Sequence, residues 1–212
     1  MGMPDRKLAH PSETRLAFVK EIKAQGAILG TFVGSMWVTE GVDAVAFRGG
    51  LDRFGIHPRA TEGLLGVLLA PFLHGGFGHL MANTIPLLVL GFFIMLRRKR
   101  DLLYVSLVSG IIGGLGTWLI GASNSVHIGA SILVFGFLGY LLFLGLFERR
   151  FWTILGSGVV FFLYGGALWG VLPGDPGISW EGHAFGFLGG IVAAWLLAAR
   201  AAPASAAAAA VR

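Results

Sequence analysis

An all-α membrane protein of six spans with a partly embedded first loop is the fold class that three features of this sequence predict. Its mean hydropathy is +0.77 and only 13% of its 212 residues are charged, where a soluble domain carries roughly twice that charged fraction. Its apolar residues fall into long runs separated by short charged or glycine-rich links. Its 34 glycines are many for a soluble helical protein and suit close helix packing in lipid.

The first segment, 1–25, is polar and basic. It lacks a short apolar core with a cleavage site, so no signal peptide is expected. The first apolar run, Gly26–Val38, reaches Phe47 only by taking in Glu40 and Asp43, so these carboxylates are expected to mark its outer end. A long connection follows, with loop signals at Arg48, Gly49-Gly50, Arg53 and His57-Pro58-Arg59. Within it, Leu64–Leu73 is apolar but too short to span, and is expected to lie in the membrane interface. The later runs are Leu80–Leu96, closed by Arg97-Arg98-Lys99-Arg100; Leu102–Ile120; Ile128–Phe147, stopped at Glu148-Arg149-Arg150; Phe151–Leu172; and His183–Ala199, ended by Arg200. The chain thus divides into an amino-terminal segment 1–25, a six-span unit 26–200 and an alanine-rich tail 201–212.

Charge sets the expected orientation. With the amino terminus inside, 13 of the 16 Lys and Arg residues fall on the cytoplasmic side, all but Arg48, Arg53 and Arg59. A multi-pass protein of the cell membrane with both termini cytoplasmic is therefore expected. The formal charge of +5 reflects this bias, and no nucleic-acid partner is expected. With no cysteine, thiol nucleophiles, disulfides and thiolate metal sites are excluded.

This topology starts the second, fourth and sixth runs at the outer face, and each carries a chemically capable residue near its start: His79 with Asn83, Ser131, and His183. A serine hydroxyl needs a base within reach, a role His183 can fill. His79 and Asn83, at i and i+4, share a helix face and could donate to a developing oxyanion. Ser131 near a helix amino terminus adds backbone N–H groups and the positive dipole end. Gly182, Gly186 and Gly190 form a small-residue ridge on the last run. Ser131, Phe135 and Gly139 share a face of the fourth, so Gly139 is expected to meet that ridge while Phe135 lies against the His183 ring.

His74-Gly75-Gly76-Phe77-Gly78-His79-Leu80-Met81-Ala82-Asn83 resembles the His-x4-His-x3-Asn motif of rhomboid intramembrane serine proteases. Gly129-Ala130-Ser131 with Phe135-Gly136 resembles their Gly-x-Ser motif, and Gly182-His183 followed by Gly186 and Gly190 their last catalytic helix. The resemblance covers roughly residues 24 to 200. It implies a Ser131–His183 dyad without a catalytic carboxylate or any cofactor, acting on transmembrane protein substrates within the bilayer. It also implies an oxyanion hole of His79, Asn83 and the Ser131 backbone amide, with His74, Gly129, Phe135 and Gly186 in support. His74 would order the first loop and Phe135 would stack on the base.

Three positions depart from the family pattern. Phe135 stands where Tyr is frequent, Phe47-Arg48 is the nearest match to a Trp-Arg pair, and Ile132 stands where Gly usually follows the nucleophile. A β-branched Ile132 is expected to crowd the oxyanion pocket or narrow the substrate groove. It is the one feature favouring the alternative of a catalytically silent rhomboid-like protein that binds membrane helices. A small transporter fits less well, because the polar residues cluster at one face and no inverted repeat is evident. A metal site of His74, His79, His183 and Asn83 would leave Ser131 unexplained. His127 is read as an interfacial loop residue, Asp175 and Glu181 as a solvated loop, and His10 and His57 as surface residues. Trp152, Trp169 and Trp180 suit an interfacial aromatic belt.

Overall fold

The structure, a computed structural model, describes residues 11–174 and 177–209, with side chains over 15–174 and 177–200. His10, Asp175 and the side chains of the alanine-rich tail lie outside the described residues. Among the described residues every regular element is helical, and one isolated antiparallel bridge joins Ile56 to His127. The helices are α1 (Pro11–Val42), α2 (Gly63–Leu69), α3 (Phe77–Arg97), α4 (Lys99–Ile120), α5 (Ser131–Glu148), α6 (Phe151–Tyr164) and α7 (Trp180–Ala209).

Five of them are long and apolar enough to cross a bilayer: α3, α4, α5, α6 with its continuation to Val171, and α7 up to Arg200. The first run lies inside the longer helix α1, which packs along α3. Its uncharged stretch, 24–39, lies between Lys23 and Glu40 and covers about 24 Å at 1.5 Å per residue, short of the roughly 30 Å hydrocarbon core. Glu40 and Asp43 are buried rather than set at a solvated boundary. Asp43 Oδ1 accepts the Leu51 N–H at 2.9 Å, so this carboxylate folds the start of the first connection back onto the helix end.

α5 is the axis of the bundle. Two thirds of its span is buried, and α3, α4, α6 and α7 all pack on it. Its closest approach is to α7, where glycine permits backbone contact. A Cβ on Gly186 would overlap the Ile132 carbonyl, and one on Gly190 the Gly136 carbonyl. Gly139 does not face a glycine of the ridge; its neighbour is the Phe187 carbonyl, because Gly136 already occupies the position opposite Gly190.

The first connection is packed onto the bundle. Gly66 lets α2 touch the Gly55 backbone, and Val67 of α2 rests on Gly114 of α4. α6, by contrast, is peripheral: only 6% of its span is buried, and Phe162 is 88% exposed. At Gly165-Gly166 it tightens into a 3₁₀ segment, Gly165–Val171, where two glycines weaken the α-helix. That turn brings the Gly170 carbonyl over the start of α7.

At the other end of the bundle the charged clusters do more than mark a boundary. Arg97 donates to Glu148 at 2.8 Å and to Asp101 at 2.6 Å, and reaches the Leu197 carbonyl at 3.4 Å, joining α3, α4, α5 and α7. Both carboxylates are buried, which a charge can sustain only when paired and hydrogen-bonded.

Candidate active site

Ser131 is the first residue of α5. The chain reaches it through Gly129, whose φ of 110° lies in the left-handed region that favours glycine. Space imposes the same choice, since a Cβ on Gly129 would stand 2.6 Å from His79 Cε1 and 2.7 Å from His79 Nε2. The loop is pinned on both sides: Gly129 N–H donates to the Ala70 carbonyl at 2.9 Å, and Ala130 N–H donates to His74 Nε2 at 3.3 Å. The Ser131 N–H, next in line, has no acceptor among the described residues and is left at the open amino end of the helix.

His183 sits in the first turn of α7. Its Nδ1 lies 2.9 Å from the Gly170 carbonyl. A carbonyl only accepts, so Nδ1 carries the proton and Nε2 keeps its lone pair. The ring stacks on Phe135 with centroids 4.0 Å apart and planes 12° apart. Phe135 is four residues after Ser131 and therefore on the same face of α5. The imidazole is thus held against that face one turn from the serine. No hydrogen bond joins Ser131 to His183 among the described residues; such bonds are often long before substrate binds.

His79 and Asn83 line the start of α3. Asn83 Nδ2 donates to the His79 carbonyl at 3.2 Å, which leaves its second N–H unused. It would also lie 3.7 Å from a Cβ at Gly129, so both side chains abut the chain two residues before Ser131. His79 is in electrostatic reach of both His74 and His183. His74 is buried beside it, ring centroids 5.1 Å apart. Burial and the neighbouring His79 push the His74 pKa down to about 4, the Phe72 backbone offsetting this in part. Neutral His74 can accept from Ala130, and a protonated ring could not. Among the described residues no group of three or more His, Cys, Asp or Glu is arranged to hold a metal.

The model of the Rhomboid domain family matches residues 61–200. The chain belongs to the rhomboid family. It is 47% identical over 182 residues to an uncharacterized protein of Mycobacterium tuberculosis (strain ATCC 25618 / H37Rv), covering 82% of this chain and 75% of that one. It is 42% identical over 207 residues to an uncharacterized protein of Mycobacterium leprae (strain TN), covering 94% and 82%. A Bacillus subtilis (strain 168) protein, provisionally named a rhomboid protease, is 34% identical over 134 residues, covering 61% and 65%.

Within this rhomboid, three sequence expectations need correction. Ile132 is directed into the bundle and not toward an open surface where it would narrow an approach to Ser131. It is 4% exposed, packed with Ile56, Ala70 and Trp118, and its branched methyl would collide with any Cβ on Gly113. The bulk that departs from the family pattern fills a notch between α4 and α7. Glu181 is buried, not solvated, and acts electrostatically on both His127 and His183.

His127 is likewise more than an interfacial loop residue. Its backbone pairs with Ile56 in both directions, at 2.9 and 3.0 Å. Its Nε2 lies 2.7 Å from Ser125 Oγ, whose own proton goes to the Ala122 carbonyl, so Nε2–H is the donor there. Its Nδ1, then bare, accepts from Ser179 Oγ at 2.6 Å. Backbone and ring of this one residue thereby tie the first connection, the link before α5 and the loop before α7. The sequence signal was faint: a histidine beside the Gly-x-Ser motif with a serine two residues upstream.

Proposed function

We propose that this rhomboid is an intramembrane serine endopeptidase that cleaves transmembrane segments near their outer ends. The observation that carries the reading is the stacking of His183, its Nε2 lone pair free, on the residue one turn after Ser131. Ser131 Oγ attacks the scissile carbonyl as its proton passes to His183 Nε2, while Nδ1–H remains on the Gly170 carbonyl. The oxyanion is met by the Ser131 N–H, the spare Asn83 N–H and the His79 ring, which need no reorganisation because the Gly129 loop fixes their spacing. His183 then returns the proton to the leaving amine. A water, deprotonated by the same Nε2, hydrolyses the acyl-enzyme. The scissile bond must leave its helix to be attacked, so Gly or Pro near the cut favours cleavage.

In this reading α1 is the sixth span, both termini are cytoplasmic and the site opens to the outer side of the cell membrane. The chain has no cysteine, so Lys20→Cys provides a single thiol. Labelling of that thiol by an impermeant reagent from outside would reverse the topology.

The inward packing of Ile132, which is 4% exposed, weakens the case for the silent-relative alternative. The decisive experiment incubates detergent-purified protein with a model transmembrane substrate, beside Ser131→Ala and His183→Ala. Each variant should retain the parent's melting temperature and lose cleavage, since either loss disables a two-residue unit. Full activity in either removes the dyad.

A further inference from the structure

A second open site lies away from Ser131, at the opposite end of the bundle. A cleft of about 820 Å³ opens between α3, α5 and α6 at the far end of α5, around Leu144 and Glu148. Thirteen residues separate Ser131 from Leu144, roughly 20 Å along a helix, so the cleft is no vestibule for the serine. We propose that it binds one anionic phospholipid of the adjoining leaflet, with the headgroup phosphate between Arg98 and Arg150 and an acyl chain along the cleft floor. The inference rests on the chain being a multi-pass membrane protein and not on its being a protease.

Charge, shape and position agree on this occupant. The walls are apolar, with Phe93 and Leu96 on one side and Trp152 and Val160 on the other. The volume lies within the range of roughly 300–1,000 Å³ usual for a small-molecule site. Of the charged groups lining it, Arg97 and Glu148 satisfy each other inside the buried network. Arg98 and Arg150 are exposed at the mouth and have no carboxylate partner among the described residues, so two positive charges are uncompensated. Arg150 is also the N-cap of α6 and offers no side-chain cap, which leaves the first N–H groups of that helix without a side-chain acceptor. The hydroxyls are already committed: Thr153 donates to the Arg150 carbonyl and Ser157 to the Leu141 carbonyl. The headgroup therefore has guanidinium and backbone donors to meet. Only 6% of the α6 span is buried, so the cleft opens sideways to lipid, and Trp152 stands 77% exposed at its rim. Gly156 keeps the floor open, since a Cβ there would meet nothing within 4 Å.

The test uses the full chain, delipidated in a neutral detergent and titrated with phosphatidylglycerol or phosphatidylcholine in mixed micelles. Bound lipid is counted by native mass spectrometry. The parent should retain one phosphatidylglycerol in preference to phosphatidylcholine. Arg98→Gln/Arg150→Gln should weaken that retention roughly thirty-fold, the factor supplied by two basic residues near an anionic headgroup. Gly156→Leu, which alters no charge, should weaken it by filling the floor. Arg149→Gln, next door in sequence but outside the cleft, should change it little. Equal retention of the two lipids, or retention unaltered by both the double variant and Gly156→Leu, overturns the proposal. So does equal competition by inorganic phosphate at the same concentration, which would make the site one for a free anion.

Discussion

Gly129 shows how a single backbone angle sets the geometry before Ser131. Its φ of 110° and its contact with the His79 ring allow no side chain. Gly129→Ala should cost about 1–2 kcal/mol from the left-handed backbone alone, and it should also push His79 out of line with the Ser131 amide. We expect cleavage to fall at least about tenfold at temperatures where the variant is still folded, because donors serve an oxyanion only when preorganised. Unchanged turnover would show that His79 is not a donor. Asn83 has one N–H engaged by its own helix and one spare, so under the proposed mechanism Asn83→Ala removes one donor of three. Loss of a donor elsewhere costs about 10²–10³ in rate, and a smaller loss is expected here because two remain. Turnover equal to the parent's would make Asn83 structural. That these residues would lie close together was readable because motif spacing on helices is local information. Gly170, which fixes the tautomer of His183 from 13 positions away, carried no such signal.

At the level of helices, the fit between Ile132 and Gly113 links α5 to α4 and α7. The sequence comparison flagged Ile132 as an obstacle because it lacks the small residue of the family pattern. It could not show that the helix turns this side chain into a glycine-lined notch instead of a groove. Ile132→Ala should therefore cost stability, about 2–5 kcal/mol for a buried site, and leave the rate per folded molecule near the parent's. Gly113→Ala should be severe with Ile132 present, since the new methyl collides with its branch, and milder with Ile132→Ala. The rescue should be partial, because the same methyl would also stand 3.1 Å from Gly186 Cα. A double-mutant cycle on unfolding in mixed micelles reads the coupling, expected between about 0.5 and 3 kcal/mol. Additive losses would mean that the two residues do not share the notch.

For the molecule as a whole, the sequence carried the apolar runs, the charged boundaries and the order of the motifs, because each is written in consecutive residues. It did not carry the buried Arg97–Glu148 pair, 51 positions apart, or the three-way tie at His127, whose partners lie in different loops. Those long-range ties predict how the protein responds to acid. His74 and His127 are both buried in neutral form, and burial lowers both pKa values, to about 4 for His74. Glu181 opposes the shift at His127 without reversing it. Between the unfolded value of about 6.5 and the lower folded values, the unfolded chain binds more protons, so stability must rise with pH in that window. The stabilisation is complete above about pH 6.5 and is lost as pH falls toward 4. His74 alone accounts for about 3 kcal/mol at the acid end, from a shift of that size. The geometry gives the same sign: a proton on His127 Nδ1 would face the Ser179 hydroxyl proton, and one on His74 Nε2 the Ala130 N–H. Melting temperature should be flat from pH 8 to about 6.5 and fall below it. The fall should be shallower in His127→Asn, which keeps an acceptor for Ser179 but cannot charge, and in His74→Gln, which keeps one for Ala130. A slope unchanged in both variants would place the acid sensitivity elsewhere and remove these two imidazoles as the neutral pins of the loops around Ser131.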